Sequence, residues 1–295
     1  MSETSEITTL RHDAYELELC PIGGGCITAF RYRGQDVMRR ATQNYWANYD
    51  PREAGSFPLV PYSNRIAEGR FTYNGRTYQL PLNMPPEPHA IHGDGWQGHW
   101  SIEETTSSDV VLAFESKNSP IGHRSHQIFR LDDKGLLVTL EITNTGAHAL
   151  PFGFGHHPYF PKSEGLTLET AVSGVWMPDE RMIPKDRVSL PDAWNFNQPK
   201  RLAALELDNC FTEFMGLATM RWPETNLTLT IDTDPIFGHL VVFVPPGKDF
   251  VCVEPVSNVN DGVHQLVNGR VDTGLKVLQP GESLMGSMRF SAAAA

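Results

Sequence analysis

Short apolar runs that alternate with polar residues, and that end in Gly, Pro, Asn or Asp, recur along the whole chain. Residues 109–116 (DVVLAFES), 135–144 (GLLVTLEITN), 226–233 (NLTLTIDT), 239–246 (HLVVFVPP) and 250–256 (FVCVEPV) each predict a β-strand. Their β-branched and aromatic side chains, two residues apart, suit a half-buried pleated surface. In FTYNGRTYQL (71–80) the pair Asn74-Gly75 sits between two such runs. It predicts a tight hairpin, because both central positions of that turn need positive φ. FRYRGQDVM (30–38) predicts a second hairpin turning at Gly34, and residues 44–54 predict one or two helical turns. No longer segment repeats with the 3.6-residue helical period. The 22 prolines and 25 glycines supply the turns that many short strands need. The predicted fold class is therefore all-β, one large antiparallel sandwich or barrel over residues 1–295, since length alone does not force a chain of this size to split. The terminal run of alanines is expected to be a disordered tail.

Charge narrows the partners. With 24 Lys+Arg against 35 Asp+Glu the net charge is -11. Such a chain repels phosphate backbones and anionic lipid heads, so neither nucleic acid nor a membrane surface is expected as a partner. MSETSEITTL at the start has no basic segment followed by an apolar one, so no secretory signal is expected. Cys20, Cys26, Cys210 and Cys252 form no C-x-x-C pair. They point to reduced thiols and a cytoplasmic location.

Three chemistries lose support from sequence pattern: phosphate binding, metal binding and nucleophilic catalysis. PIGGGCITAF (21–30) looks like a phosphate loop, but the residues after the glycines are β-like, whereas such a loop needs a helix N-terminus behind it. A turn or bulge between strands is expected there. His123 and His126 stand three apart, and His92 and His99 seven apart; neither spacing matches a metal motif, so no metal is expected. There is no Gly-x-Ser-x-Gly elbow, and the cysteines lie in apolar runs without a basic neighbour. There remains a set of polar residues in apolar or turn-rich settings: PYSNRI (61–66), AIHGDGWQGHW (90–100), GFGHHPYF (153–160), LDNCF (207–211) and CVEPVSN (252–258). Trp96, Trp100, Tyr159 and Phe160 offer flat faces to a sugar or are ordinary core, and Asn64, Arg65 and Asp208 offer partners to hydroxyls. Because adjacent residues of a strand face opposite ways, only one of His156 and His157 can readily face a given pocket.

In this order, SNRI, IHGDGW, HHPYF, DNCF and VEP resemble the successive motifs of the galactose mutarotase (aldose 1-epimerase) family. The resemblance covers nearly the whole chain and implies a large β-sandwich, the supersandwich of that family, with an open cleft on one sheet. It implies His157 as general acid, Glu254 as general base and His92 as a further active-site histidine. Arg65 and Asp208 are implied to bind sugar hydroxyls, with Asn64, Trp96 and Tyr159 completing the substrate site. It places His157 in the cleft and turns His156 back into the protein. Pro158 and Pro161 depart from the family pattern, resembling a divergent bacterial branch.

The implied activity is interconversion of α and β anomers of an aldose. One group takes the proton from O1, another gives a proton to the ring oxygen, and the ring recloses on the other face. Proton transfer needs no cofactor. The acid must be protonated, and the nearby anions Glu254 and Asp208 are expected to raise the pKa of His157. The partner is a monosaccharide, and the protein a monomer or homodimer. Two rival readings share the fold. One is an epimerase of a phosphorylated or sulfonated sugar, with Arg39, Arg40, Arg52 or Arg70 as candidate anion ligands. The other is a carbohydrate-binding or sensing protein without catalysis.

Overall fold

Alternation sets which side of each strand is apolar. In the computed structural model, which describes residues 7–117 and 119–294, those sides meet between two antiparallel sheets. A nine-stranded sheet includes Asp109–Glu115, His123–Asp132, Gly135–Asn144, Leu217–Trp222, Leu227–Thr233 and Ser283–Ala294. An eight-stranded sheet carries β1 (Pro58–Leu59), β2 (Gly155–His156), β3 (Tyr159–Pro161), β4 (Gly174–Pro178), β5 (Pro184–Ser189), β6 (Leu207–Thr212), β7 (His239–Val244) and β8 (Phe250–Val256). Its order is β5-β4-β6-β7-β8-β2-β1, with β3 also paired to β8. The architecture is the sandwich, not the barrel.

Leu240, Val242 and Val244 of β7 and Val251 and Val253 of β8 join one apolar cluster with Leu112, Phe129, Leu140, Ile231 and Phe290 of the nine-stranded sheet. Each such fully buried side chain contributes about 1.5–3 kcal/mol. The intervening residues Val241, Cys252 and Val256 join a second cluster, with Tyr45, Phe57, Ile91, Trp96 and Tyr159. The eight-stranded sheet is thus apolar on both faces. Its outer face is roofed by chain on either side of β1 and by the loop around Trp96, and this roofed face carries the candidate site.

Both expected hairpins form. Asn74 and Gly75 have φ of 48° and 75° between Arg70–Tyr73 and Arg76–Gln79. Arg33 and Gly34 have φ of 51° and 78° between Cys26–Tyr32 and Gln35–Asp36. The expected helical turns are Gln43–Asn48, whose N-terminus is capped by the Thr42 side chain, and a 3-10 turn at Pro51–Glu53. The glycines of PIGGGC make a turn; a Cβ on Gly24 would collide with the Trp96 carbonyl oxygen. The four cysteines are buried and form no disulfide with one another. No helix among the described residues is long and apolar enough to cross a membrane.

The terminal alanines correct an expectation. Ala292, Ala293 and Ala294 continue the Ser283–Ala294 strand and pair with Leu229, Thr228 and Leu227. Tyr15 Oη donates to the Ala292 carbonyl at 2.8 Å and accepts its N–H at 3.1 Å. Alanine composition carries no strand signal, so the ladder is supplied by the partner strand. Ala295 lies outside the described residues.

Candidate active site

Strand register assembles the site. Asp208 of β6 pairs with Phe243 of β7, Phe243 with Cys252 of β8, and Cys252 with Tyr159 of β3. The neighbouring row runs from Cys210 to Val241 to Glu254. His157 lies midway between the pairs Gly155↔Val256 and Tyr159↔Cys252, which sets it opposite Glu254. Residues opposite each other, or two apart on a strand, share a face. Asp208, Tyr159, His157, Cys252 and Glu254 therefore project together onto the roofed side, and His156 projects to the other.

The two histidines accordingly do different things. His156 is fully buried between the sheets. Gln127 donates its Nε2–H to the Gly25 carbonyl at 3.0 Å, which turns its Oε1 toward His156 Nε2, also at 3.0 Å. That fixes the His156 proton on Nε2, and Nδ1 accepts from the Ser56 hydroxyl at 2.5 Å. Burial pushes its pKa down to about 3, so the ring is neutral. His157 is sandwiched between Phe57 and Tyr159, with ring centroids 4.6 and 4.7 Å away. Its Nε2 lies 3.3 Å from Glu254 Oε1. Glu254 is 2% exposed, and its Oε2 is buried with no hydrogen-bond partner among the described residues.

His92 and Asn64 are clasped. Both have positive φ, 61° and 63°. The His92 N–H donates to the Asn64 carbonyl at 2.9 Å, and the Asn64 N–H donates to His92 Nδ1 at 3.1 Å. Two hydrogen bonds thus offset the cost of a histidine in the left-handed region. With Nδ1 accepting, the neutral ring carries its proton on Nε2. Gly93 comes next because a Cβ there would collide with the Val60 carbonyl. The Arg65 guanidinium donates to Asn64 Oδ1 at 3.2 Å and to Glu87 Oε2 at 3.3 Å.

All eight residues expected at the site border one cavity of about 250 Å³: Asn64, Arg65, His92, Trp96, His157, Tyr159, Asp208 and Glu254. The two readings of the aromatic residues divide, with Trp96 and Tyr159 at the cavity and Trp100 and Phe160 in the core. Trp96 is 1% exposed and its Nε1–H is spent on the Ile91 and Gly93 carbonyls, so it forms wall and offers no free polar edge. Trp100 donates to the Gly95 carbonyl and packs on Phe114. Phe160 packs on Trp222 in the inter-sheet core. Neither borders the cavity.

Arg52, named in the sequence as a candidate anion ligand, also lines the cavity, as do Phe57, Met84, Ile91, Val241 and Phe243, which were not singled out. Val241 and Phe243 follow from alternation once β7 is known to neighbour β8; Phe57 has no local signal. Glu87, which holds Arg65, lies in the proline-flanked stretch PPEP, a rigid setting for an acid that was legible but unused. His99 is exposed, and His123 is engaged with Asp94 at 2.8 Å, so neither joins His92.

Burial governs the electrostatics. It pushes the Glu254 carboxyl well above the usual range, with the anion Asp208 adding to the effect and Arg65 opposing it. It raises Asp208 as well. It pushes His157 down to about 3 and His92 well below the ordinary imidazole value. The expected rise at His157 is therefore reversed. Stripping water from the imidazolium costs more than the neighbouring acids return, because those acids are themselves driven toward their neutral forms. Burial thus disfavours the charged form of both members of the Glu254–His157 pair.

Comparison with known proteins places the chain in a family. The chain is 33% identical over 290 residues to the uncharacterized protein YphB of Escherichia coli (strain K12), covering 96% of this chain and 97% of that protein. A crystal structure of a candidate aldose 1-epimerase of Escherichia coli K12 superimposes with a TM-score of 0.90 at 32% identity, over 98% of this chain and 99% of that one. Galactose mutarotase of Rattus norvegicus is 27% identical over 139 residues, 44% of this chain and 38% of that protein. The family model for aldose 1-epimerase matches residues 6–291, so every strand of the site sheet falls within the match, and the chain belongs to the aldose 1-epimerase family.

Proposed function

We propose that this protein is a mutarotase that interconverts the α and β anomers of a neutral aldose by reversible ring opening. The observation that carries the reading is the buried Glu254–His157 pair, 3.3 Å apart, bordering a small-ligand cavity. A binding module has no use for a buried carboxyl with an unpartnered oxygen, which costs about 1–3 kcal/mol. A proton-transfer catalyst does, because both groups must reach the sugar.

Transfer of one proton from a neutral Glu254 carboxyl to His157 produces the working pair without exchange with solvent. Glu254 then accepts the O1 proton, and His157 delivers its proton to the ring oxygen. The C1–C2 bond turns and the ring recloses. His92, neutral with its proton on Nε2, donates to a sugar oxygen. Arg65 and Asp208 hold hydroxyls, and Tyr159 and Phe57 fix the His157 ring between them. The step moves protons only and requires no electron carrier.

Charge favours a neutral sugar over an anionic one. Arg39 donates to the Ala54 and Arg52 carbonyls and lies over Tyr159. Arg40 and Arg70 are exposed and do not border the cavity. Arg52 borders it but is paired with both oxygens of Asp50, and Arg65 is paired with Glu87. Both cations at the cavity are already neutralised.

Proton NMR of anomer exchange, run in EDTA on neutral, 6-phosphorylated and 6-sulfonated sugars, tests the proposal. Catalysed exchange is expected for one or more neutral aldoses. No acceleration over the buffer rate for any sugar sinks the mutarotase reading, and acceleration confined to anionic sugars sinks the substrate class. Arg65→Ala and Asp208→Ala are expected to raise KM about 10- to 100-fold, the worth of one charged hydrogen bond, with the shape of the pH profile unchanged. A displaced pH profile with unaltered KM would instead make either residue a proton carrier.

A further inference from the structure

The roofed face holds a third reactive group beside the pair. Cys252 and Glu254 are two apart on β8 and share a face, and His157 stands opposite Glu254 and diagonal to Cys252. One donor atom from each lies within 4.8 Å of the others, and all three residues are buried. No local spacing shows this set, because His157 comes from a distant stretch of chain.

We infer that Cys252, Glu254 and His157 form a site for a soft divalent cation of the zinc type, whose occupancy switches catalysis off. Thiolate, imidazole and carboxylate are the donors zinc prefers. Around a tetrahedral ion with ligand distances of about 2.0–2.3 Å, neighbouring donors sit roughly 3.3–3.7 Å apart; His157 Nε2 and Glu254 Oε1 are already 3.3 Å apart. Glu254 Oε2, buried and unpartnered among the described residues, is an independent sign of an unmet electrostatic demand. A dication answers it: with one thiolate, one carboxylate and a neutral imidazole, the occupied site carries no net charge. Two of the three ligands, His157 and Glu254, border the cavity. The thiol loses its proton on binding, so affinity falls as the solution is acidified. A bound ion takes the lone pairs that Glu254 and His157 need for proton transfer. Inhibition thus rests on the mutarotase reading, whereas the site itself does not.

Cobalt(II) separates the two claims. Titrated into the whole protein, it is expected to give the near-ultraviolet charge-transfer band of a cobalt–thiolate bond. Cys252→Ser, nearly isosteric, is expected to lose that band and to weaken zinc binding at least tenfold by calorimetry, while keeping the basal exchange rate and losing tenfold or more in sensitivity to zinc. Glu254→Gln provides a second variant, expected to weaken cobalt binding without abolishing the band. A folded wild type without the band overturns the site. So does zinc binding of equal strength in Cys252→Ser, which would place the ion on the exposed cluster of His12, Asp13 and Asp133. A cobalt–thiolate band in a protein that exchanges no sugar anomer leaves the metal site standing and removes the mutarotase reading.

Discussion

Glu254→Gln is expected to slow anomer exchange by about 10²–10⁴-fold, the usual contribution of a general base, in a protein that still folds. The amide keeps the shape of the side chain but cannot accept the O1 proton at neutral pH. Wild type, assayed in EDTA, is expected to show a broad plateau across neutrality, with limbs assigned in the reverse of the reference order. The pair works while it holds a single proton. On the acid side activity falls when His157 takes up a second proton, near the value of about 3 to which burial depresses it. On the alkaline side activity falls when that single proton leaves Glu254, whose carboxyl is held well above its ordinary range. Both limbs belong to the pair as a whole. Stability follows the same sign: a carboxyl whose folded pKa exceeds its unfolded one loses stabilisation as pH rises through the folded value. Glu254→Gln should therefore resist alkaline unfolding better than wild type. A variant with near wild-type turnover, or a wild-type rate that climbs steadily through alkaline pH, would remove the Glu–His mechanism.

The adjacent histidines should separate cleanly. His157→Gln is expected to cost about 10²–10⁴-fold in kcat with little change in thermal stability, since Phe57 and Tyr159 still enclose the side chain. His156→Gln is expected to leave kcat within a few-fold of wild type and to cost about 1–3 kcal/mol. That is the penalty for leaving buried partners unsatisfied, here the Ser56 hydroxyl and Gln127 Oε1. Measuring anomer exchange and urea unfolding on both variants decides the matter. Equal kinetic losses in two folded proteins would overturn the division of roles.

Two aspects of the site had different legibility. Which residues face together on one strand is a local property with a period of two, so Cys252 and Glu254 on one side and Val251 and Val253 on the other could be read from FVCVEPV alone. The same rule separated His156 from His157, and the order of the short motifs pointed to the family before any strand was placed. The hairpin at Asn74-Gly75 was equally local, because its turn depends on the φ preferences of two residues.

Neighbourhood was not legible. That β8 lies between β7 and the β2–β3 segment, so that His157 meets Glu254 and Cys252 lies diagonally below, depends on pairings between residues about a hundred positions apart, and nothing in either stretch encodes its partner. The terminal alanines became a strand for the same reason, through Leu227–Thr233 and Tyr15. The proton inventory followed suit. Near a carboxylate in water an imidazole gains protons, and from residue types alone His157 was expected to do so. Only the tertiary structure shows the roof of Phe57, Tyr159 and Trp96 over the pair. Desolvation, which depends on everything that excludes water and not on the residues themselves, reverses the sign.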